Sequence, residues 1–334
     1  EMKIALIGAT GMVGKVMINL IHERKIKYKQ LILVASDKSQ GQKILVNEEI
    51  YTVTSIENGV KLKPDYAIFS AGSEVSLDWA PRFAEVGSTV IDNSSAWRMD
   101  PKKKLVIPEI NGNVLNPDDK IIANPNCSTI QMLMVLAPIH KNYGIKRVIV
   151  STYQSVTGTG LKGLNQLTNE ENNVVGEMVY KYPIHRNAIP HCDDFLKNGY
   201  TKEEVKLANE TKKILDPKIK VSATAVRVPV VGGHSESVNI TLKKGFKLPE
   251  IKKLLKNSAG LIVKDDPNSF KYPMPIDAEN TDSVYVGRIR EDFSEKNSIN
   301  LWIVSDNLRK GAATNAIQIM EYLEKNGFRI STLF

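Results

Sequence analysis

The sequence has little cysteine and no apolar run that approaches the length of a membrane span. Its 334 residues include two cysteines, Cys127 and Cys192. A chain of this size without a secretion signal keeps such cysteines reduced, so a disulfide-stapled scaffold is excluded. The apolar run at residues 4–7 is too short for a signal-peptide core, and no cleavage pattern follows it. We therefore expect a cytoplasmic protein with no membrane partner.

The chain also lacks the signatures of several other classes of protein. No group of residues has metal-ligand spacing, and there is no Walker loop, Ser-His-Asp signature or aromatic-rich RNA motif. The net charge is +8, but the lysines are scattered and only residues 102–104 form a run, which we interpret as a solvated face. Nucleic acid and metal ions are therefore not expected partners. A positive chain does suit small anionic ligands such as phosphates and dinucleotides.

The order of β-rich and helical segments predicts an α/β protein with two domains. Over about the first 125 residues, short β-rich runs alternate with helix-like stretches, which indicates a Rossmann-like parallel sheet. From about residue 145, long β-rich runs with helical insertions indicate an α+β domain with a mainly antiparallel sheet. Apolar residues at helical spacing near the end predict a helix that could return to the first domain. We place the boundaries at 1–127, joined by the C-terminal helix 311–334, and 128–310.

A glycine-rich turn follows the first predicted strand. Gly8, Gly11 and Gly14 open the next helix, where glycines allow a tight turn and close backbone approach to a pyrophosphate. The spacing GxxGxxG differs from GxGxxG, and such a turn can also serve packing alone. With the strand and helix in place, we interpret it as a dinucleotide-binding loop.

The end of the second predicted strand bears on the choice of dinucleotide. Ser36, Lys38 and Ser39 supply one cation and two hydroxyl groups, which favours the 2′-phosphate of NADP. Asp37 favours a free ribose hydroxyl instead, and a polar turn without a ligand is the third interpretation. We predict NADP.

Cys127 lies between Asn126 and Ser128, where a strand is predicted to end and a helix to begin. A thiolate at a helix N-terminus is stabilised by the helix dipole and by unpaired backbone N–H groups. A single cysteine is more often a small core residue, but Pro125 and these polar flanks make a poor core. The position predicts a nucleophile.

A nucleophilic cysteine needs a base, and the best candidate is His234. It follows two glycines between two β-rich segments, so we expect its ring on a flexible connection at a strand end. A surface or core role is the more natural interpretation of His22 and His140. His185 and His191, in an irregular stretch, stay open.

Four further charged residues are candidates for ligand binding. Arg227 lies inside a β-rich segment and needs an anionic partner, either a substrate or an internal carboxylate. Arg98 follows a strand at the ligand-binding edge of the parallel sheet, where a phosphate site or an exposed loop residue would both fit. Glu210 and Lys213 share a helix face, and an ordinary intrahelical ion pair explains them as well.

Taken together, the motifs resemble those of aspartate-β-semialdehyde dehydrogenases over essentially the whole chain and in the same order. The motifs are GATGMVG, ASDKSQG, NSSAWR, VIPEIN, ANPNCST, STYQSVTGTG, IPHCDDFLKNGYTKEE, ANETKK, VRVPVVGGHSESV and SDNLRKGAA. The resemblance implies NADP-dependent reductive dephosphorylation of L-aspartyl-4-phosphate to L-aspartate 4-semialdehyde in lysine, threonine and methionine biosynthesis. It also implies a homodimer or homotetramer formed through the second domain.

The resemblance also implies a role for each matching residue. Cys127 would form the acyl thioester, with Gln154 as its orienting neighbour and His234 as acid/base. The substrate would be bound by a second set, with the carboxylate on Arg227, the ammonium on Glu210, and the phosphate on Arg98, Lys213 and Asn126. NADP would contact Gly8, Thr10, Gly11, Met12, Val13, Ser36, Lys38, Ser39, Thr157, Gly158 and Asn307.

The chain departs from the family at two points, and two rival functions stay open. Ser36-Asp37-Lys38-Ser39 replaces the common Ser-x-Arg-Ser, and Thr157 replaces a serine. The nearest rival enzyme is an N-acetyl-glutamyl-phosphate reductase, whose acetylated substrate nitrogen carries no charge and needs no Glu210. A non-catalytic NADP-binding sensor would need neither Cys127 nor His234.

Overall fold

The computed structural model describes residues 2–46 and 48–328, which fold into two compact units. The first unit comprises the described parts of residues 1–125 and 312–334, and the second comprises residues 126–311. The predicted domains met between residues 127 and 128, two residues later. Residues 329–334 of the predicted C-terminal helix lie outside the described residues. In the described ranges, no helix is both long and apolar enough to cross a membrane.

The first unit is built on a parallel sheet with strand order β2-β1-β5-β6-β8-β7. Its strands are β1 (Met2–Ile7), β2 (Tyr28–Val34), β5 (Tyr66–Phe69), β6 (Thr89–Asp92), β7 (Lys104–Leu105) and β8 (Ile121–Ala123). A hairpin of β3 (Lys43–Val46) and β4 (Glu49–Thr52) stands beside it, and neither the hairpin nor β7 was predicted. Its first helices are α1 (Met12–Glu23), α2 (Ile56–Lys61), α3 (Ser73–Glu85) and α4 (Pro108–Asn111).

Alternate residues of the parallel strands enter two separate cores. Ile4 and Leu6 of β1 belong to one core, with α1, and Ala5 and Ile7 belong to the other, with Phe83 of α3. A strand that is buried on both faces needs apolar side chains at every position, because successive residues point to opposite faces. The continuous run in KIALIG therefore corresponds to a central parallel strand, and the predicted Rossmann-like sheet is confirmed.

The second unit is built on a mixed sheet with strand order β10-β9-β11-β14-β13-β12. Its strands are β9 (Ile145–Gln154), β10 (Lys220–Arg227), β11 (His234–Leu242), β12 (Leu261–Val263), β13 (Val284–Glu291) and β14 (Ser298–Ser305). The three inner pairings are antiparallel and the pairing at each edge is parallel. The predicted α+β domain with a mainly antiparallel sheet is thus confirmed, although β12 was not predicted.

The second unit also contains helices. They are α5 (Cys127–Tyr143), α6 (Leu161–Glu171), α7 (Lys202–Ile214), α8 (Leu248–Lys256) and α9 (Pro275–Ala278). The longest, α5, packs on β9, β11, β13 and β14, and ten of its residues are buried. The opposite face carries Ile149, Tyr153 and Trp302, which are partly exposed, and the rings of Tyr153 and Trp302 lie 5.5 Å apart.

The chain then passes through a π-helical turn at Arg309–Ala313 into α10 (Thr314–Lys325). The buried face of α10 includes Ala316, Ile317, Met320 and Leu323, which join the same core as α1. This is the apolar spacing that predicted a C-terminal helix associated with the first domain.

Candidate active site

Cys127 is the first residue of α5, and the helix begins there because Asn126 caps it. The backbone of Asn126 is extended, and its side-chain oxygen Oδ1 accepts hydrogen bonds from the N–H groups of Ser128, at 3.0 Å, and Thr129, at 3.4 Å. Asparagine is among the most favourable N-cap residues for this reason. Cys127 is partly exposed and is not in a disulfide. The thiol therefore stands at the positive end of a long helix dipole, where a thiolate is stabilised.

Two carboxylates of α7 hold the residue before the nucleophile. The backbone N–H of Asn126 donates to Glu210 Oε2 at 2.8 Å, and its side-chain Nδ2 lies 3.1 and 3.2 Å from the two oxygens of Glu203. Glu203 and Glu210 are seven residues apart on one helix face, and both are buried. The start of α5 is thereby fixed to α7.

Gln154, the last residue of β9, faces the same helix start. Its Nε2 donates to Ser128 Oγ at 2.9 Å and to Glu203 Oε1 at 3.0 Å. Gln154 is 2% exposed, so its side chain is locked between α5 and α7.

His234 is fully buried and is the first residue of β11, not part of a flexible connection as predicted. The preceding glycine explains the difference, since a Cβ on Gly233 would lie 2.8 Å from the carbonyl oxygen of Ser305 on β14. That glycine permits close strand pairing rather than flexibility.

The surroundings of His234 fix its tautomer and its charge. The backbone N–H of Ser155 donates to Nδ1 at 3.0 Å, so the proton of the neutral ring is on Nε2. Nε2 itself is buried without a hydrogen-bond partner among the described residues. Burial, together with the nearby charge of Arg227, holds the pKa of His234 well below its usual value. At neutral pH the ring is therefore an uncharged donor.

Arg227 ends β10 and is also buried. Its Nη1 donates to the carbonyl oxygen of Ser155 at 2.6 Å, and its guanidinium carbon is 5.9 Å from the ring centroid of Tyr180. Among the described residues it forms no ion pair with a carboxylate, and Nε is buried without a hydrogen-bond partner. A buried guanidinium in this condition fits an anionic ligand better than it fits the internal salt bridge considered above.

Arg227 and His234 converge beside Gly158. A Cβ on Gly158 would lie 2.7 Å from Arg227 Nη1 and 3.2 Å from His234 Nε2. Gly158 itself is exposed, in the 3₁₀ turn Val156–Thr159. The missing side chain therefore leaves these two nitrogens room on the open side of the turn.

The turn beside Gly158 is tied to the segment after β14. Thr157 Oγ1 donates to Asn307 Oδ1 at 3.1 Å, and both residues are buried. Farther along, a Cβ on Gly311 would lie 2.9 Å from Cys127 Cβ. Sequence reasoning did not single out Gly311 or Glu203, because each contacts the nucleophile's surroundings only through the fold.

Lys213 is half-buried on α7, one turn beyond Glu210. Cys127, Asn126, Gln154, Glu210, Arg227 and His234 also belong to the second unit, and the hydrogen bonds above link most of them. Among the described residues, no group of three or more His, Cys, Asp or Glu side chains could hold a metal ion.

In the glycine loop of the first unit, two glycines have no room for a side chain and the third has room for one. A Cβ on Gly8, whose φ is +91°, would lie 2.2 Å from the carbonyl oxygen of Ser70, and one on Gly14 would lie 2.2 Å from that of Gly8. Gly11 is exposed, and a Cβ placed on it would meet only the carbonyl oxygen of Gly8, at 3.4 Å. It precedes α1 and offers no side-chain cap, which leaves the helix N-terminus for an anion.

Thr10, Met12 and Val13 surround this helix start and are partly exposed. After β2, the turn Asp37–Ser39 places Ser36 and Lys38 in the open, with Ser39 partly exposed. The arrangement can accept a dinucleotide with a cation beside its ribose.

Arg98, in the first unit, is buried rather than an exposed loop residue. Its Nε donates to the carbonyl oxygen of Asn124 at 2.9 Å and its Nη2 to that of Asn93 at 2.7 Å. These bonds hold the guanidinium against the chain that leads from β8 towards the nucleophile.

The known protein families that match this chain define its class. The model described as "Semialdehyde dehydrogenase, NAD binding domain" matches residues 3–117, and "Semialdehyde dehydrogenase, dimerisation domain" matches residues 136–310. Together they cover most of the chain. The class is therefore that of the semialdehyde dehydrogenases, which are oxidoreductases with a dinucleotide-binding domain.

Comparison with individual relatives shows which family within this class the chain belongs to. Aspartate-semialdehyde dehydrogenases of Aquifex aeolicus and Bacillus subtilis are 48% and 44% identical, each over at least 96% of both chains. A crystal structure of aspartate semialdehyde dehydrogenase II from Vibrio cholerae, complexed with ASA, is 41% identical, covers 98% of this chain and 99% of its own, and superposes with a TM-score of 0.92. The chain belongs to the aspartate-semialdehyde dehydrogenase family. The resemblance seen in the motifs and the prediction of an enzyme are both confirmed.

Proposed function

We propose that this enzyme converts L-aspartyl-4-phosphate to L-aspartate 4-semialdehyde and phosphate, reversibly and with NADP, through a thioester on Cys127. Two observations in the second unit support it most: a cysteine stands at a capped helix start, and a buried histidine and arginine converge at one glycine turn. Family membership supports the overall reaction.

The thioester route assigns a bond change to each step. The Cys127 thiolate attacks the acyl carbon of the aspartyl phosphate, a carbon–sulfur bond forms, and phosphate leaves with its bonding electrons. The reduced nicotinamide supplies a hydride to the thioester carbon when bound. His234 gives the proton of Nε2 to the oxygen of the resulting thiohemiacetal and takes it back as the carbonyl re-forms and the carbon–sulfur bond breaks, which releases the aldehyde and regenerates the thiolate.

Substrate binding changes the charge around His234. The charge of Arg227 contributes to the low pKa of His234, second to burial. A substrate carboxylate on Arg227 offsets that charge, so the pKa of the histidine rises when the site is occupied.

The remaining roles follow the resemblance and the geometry. Glu210 takes the substrate ammonium, and Arg98 and Lys213 take the phosphate. Both ends of the Asn126 side chain are engaged, by Glu203 and by the N–H groups of α5, so Asn126 supports the phosphate indirectly.

NADP is the proposed dinucleotide. Its pyrophosphate would lie at the open N-terminus of α1, near Gly8, Thr10, Gly11, Met12 and Val13. Its 2′-phosphate would meet a separate set of side chains, Lys38, Ser36 and Ser39, which are exposed or partly exposed. Thr157, Gly158 and Asn307 complete the proposed contacts.

The proposed assembly is a cytoplasmic homodimer or homotetramer. The family model names the second part of the chain a dimerisation domain. The partly exposed apolar side chains of Ile149, Tyr153 and Trp302 on one sheet face suit a contact between copies.

The first experiment follows the absorbance of NADPH with aspartate semialdehyde, phosphate and NADP. Phosphate-dependent NADPH formation is expected, and Cys127→Ser should lower it by at least about a thousandfold because the nucleophile is lost. Cys192→Ser is the matched control, since burial raises the pKa of that thiol to about 12 and leaves it unreactive. Activity only with N-acetyl-glutamate semialdehyde would assign the rival reductase function, and NADP binding without either activity would assign the sensor function.

A further inference from the structure

Glu203 lies between the two side-chain amides that flank the nucleophile. It is buried, and its carboxylate accepts hydrogen bonds from Asn126 Nδ2, at 3.1 and 3.2 Å, and from Gln154 Nε2, at 3.0 Å. Lys206 Nζ reaches it at 3.3 Å and also binds Asp193 at 2.6 Å, which offsets the negative charge. No role in the reaction described so far uses this carboxylate.

A carboxylate selects one orientation of each amide. An ionised carboxylate only accepts hydrogen bonds, whereas a side-chain amide has a donor end and an acceptor end that can be exchanged by rotation. Facing Glu203, Asn126 must present Nδ2, which leaves Oδ1 for the N–H groups of Ser128 and Thr129. The N-cap of the nucleophile's helix therefore depends on this choice.

The same choice governs Gln154. Both hydrogens of its Nε2 are used, one by Glu203 and one by Ser128 Oγ. Only the carbonyl oxygen of the amide is then left to meet a bound acyl group. Gln154 can therefore accept a hydrogen bond, as from the hydroxyl group of the thiohemiacetal, but it cannot donate one to the acyl oxygen.

We propose that Glu203 is a positioning residue for this reaction: it fixes the amide orientations of Asn126 and Gln154, so that one caps the helix of Cys127 and the other presents an acceptor to the thiohemiacetal hydroxyl. The proposal rests on the thioester mechanism above. It assigns to Glu203 an effect on turnover that is separate from the stability of α7.

The neighbouring residue Glu204 gives a matched control. It is equally buried on the same helix turn, but its oxygens accept from the backbone N–H groups of Thr201, at 2.7 Å, and Ala225, at 2.9 Å. These bonds cap α7 and join it to β10. Glu204→Gln should therefore lower the melting temperature and leave kcat near that of the wild type.

The test measures kcat, KM and thermal unfolding for Glu203→Gln and Glu204→Gln. A glutamine at position 203 has the same shape but can donate or accept, so it no longer selects the amide orientations. We expect kcat to fall roughly 10- to 100-fold in Glu203→Gln, with little change in the KM for phosphate or in melting temperature. If this variant does not fold, Glu203→Asp replaces it, since the shorter side chain keeps the charge but cannot reach both amides, and the same loss of kcat is expected.

A second background separates positioning from structure. If Glu203 acts through Gln154, its substitution should cost much less in a Gln154→Ala enzyme than in the wild type. An equal loss in both backgrounds, or an unchanged kcat, would overturn the proposal. Failure of the thioester mechanism would show differently, as activity that survives Cys127→Ser.

Discussion

Gly158 has a hydrogen atom where any other residue would have a Cβ, and the side chains of Arg227 and His234 occupy the space beside it. Arg227 Nη1 and His234 Nε2 would both lie within 3.2 Å of that carbon. Because φ at Gly158 is not in the left-handed region, the glycine is required for space and not for backbone conformation. The resemblance in the sequence motifs implied a cofactor contact at Gly158. The structure shows in addition that the lack of a side chain there leaves room for Arg227 and His234.

Gly158→Ala should impair catalysis without unfolding the protein. The added methyl group displaces the Arg227 guanidinium or the His234 ring, and an error of about 1 Å in such groups costs roughly a hundredfold in kcat/KM. Steady-state kinetics with aspartate semialdehyde would show the loss. Gly245→Ala is the control, since a Cβ there meets nothing within 4 Å, and its kcat/KM should match that of the wild type. Equal kinetics for both variants would contradict the argument.

At the scale of secondary-structure elements, α5 and β11 enclose the carboxyl group of Glu236. Glu236 lies two residues after His234 on the same strand face and is fully buried. Burial raises its pKa well above the usual value, the charge of Glu203 adds to the effect, and the Gln131 side chain partly offsets it. The group is therefore held neutral in the folded state.

Glu236→Gln should stabilise the protein at neutral and alkaline pH. Above the ordinary pKa of 4.5 the unfolded chain loses the proton while the folded chain keeps it, so wild-type stability falls as pH rises towards the folded pKa. Glutamine has the same shape and no charge, and it removes that fall. Urea unfolding at pH 5 and pH 8 would show an advantage for the variant that grows with pH. Glu295→Gln, in an exposed loop, should have the same unfolding free energy as the wild type at both pH values. If Glu236→Gln also matches the wild type at both pH values, the prediction is wrong.

Elements defined by neighbouring residues were predictable, and contacts between distant residues were not. Pro125 and Asn126 indicate the start of α5, and the glycines after β1 indicate a turn, because both signals are local. The position of His234 depends on pairing with Ser305, 71 residues away, so Gly233 was misinterpreted as flexible. Glu203 contacts a residue 77 positions earlier, and no local pattern distinguishes it from Glu204.

At the scale of the whole molecule, the sequence order of the two parts was predictable from their different strand patterns. The parallel sheet follows from short strands that contain continuous apolar runs, and the mixed sheet from long runs with polar residues at intervals. The apolar residues that share the partly exposed face of the second sheet could not be predicted from the sequence. An exposed apolar residue becomes informative only when the fold places several of them on one face.

Trp302→Glu should weaken the assembly of the enzyme. The tryptophan lies on the sheet face opposite α5, close to Tyr153, and a charge there would be buried between two copies. Sedimentation velocity should show a smaller species with an unchanged circular dichroism spectrum. Phe293→Glu, whose side chain is fully exposed in the turn before β14, should sediment like the wild type. An unchanged mass for Trp302→Glu would place the contact elsewhere.

Because the two cysteines differ in exposure, selective labelling of one of them could be used to count the active sites in a sample. Cys192 is buried and keeps its proton, because its pKa is raised to about 12, whereas Cys127 is partly exposed at a helix start. An alkylating electrophile should therefore modify one position per chain, and the bound label would report the concentration of competent catalytic centres in any preparation. Such labelling would need no cysteine replacement. A covalent inhibitor of Cys127 could therefore be followed directly, because the fraction of modified protein can be measured by mass spectrometry.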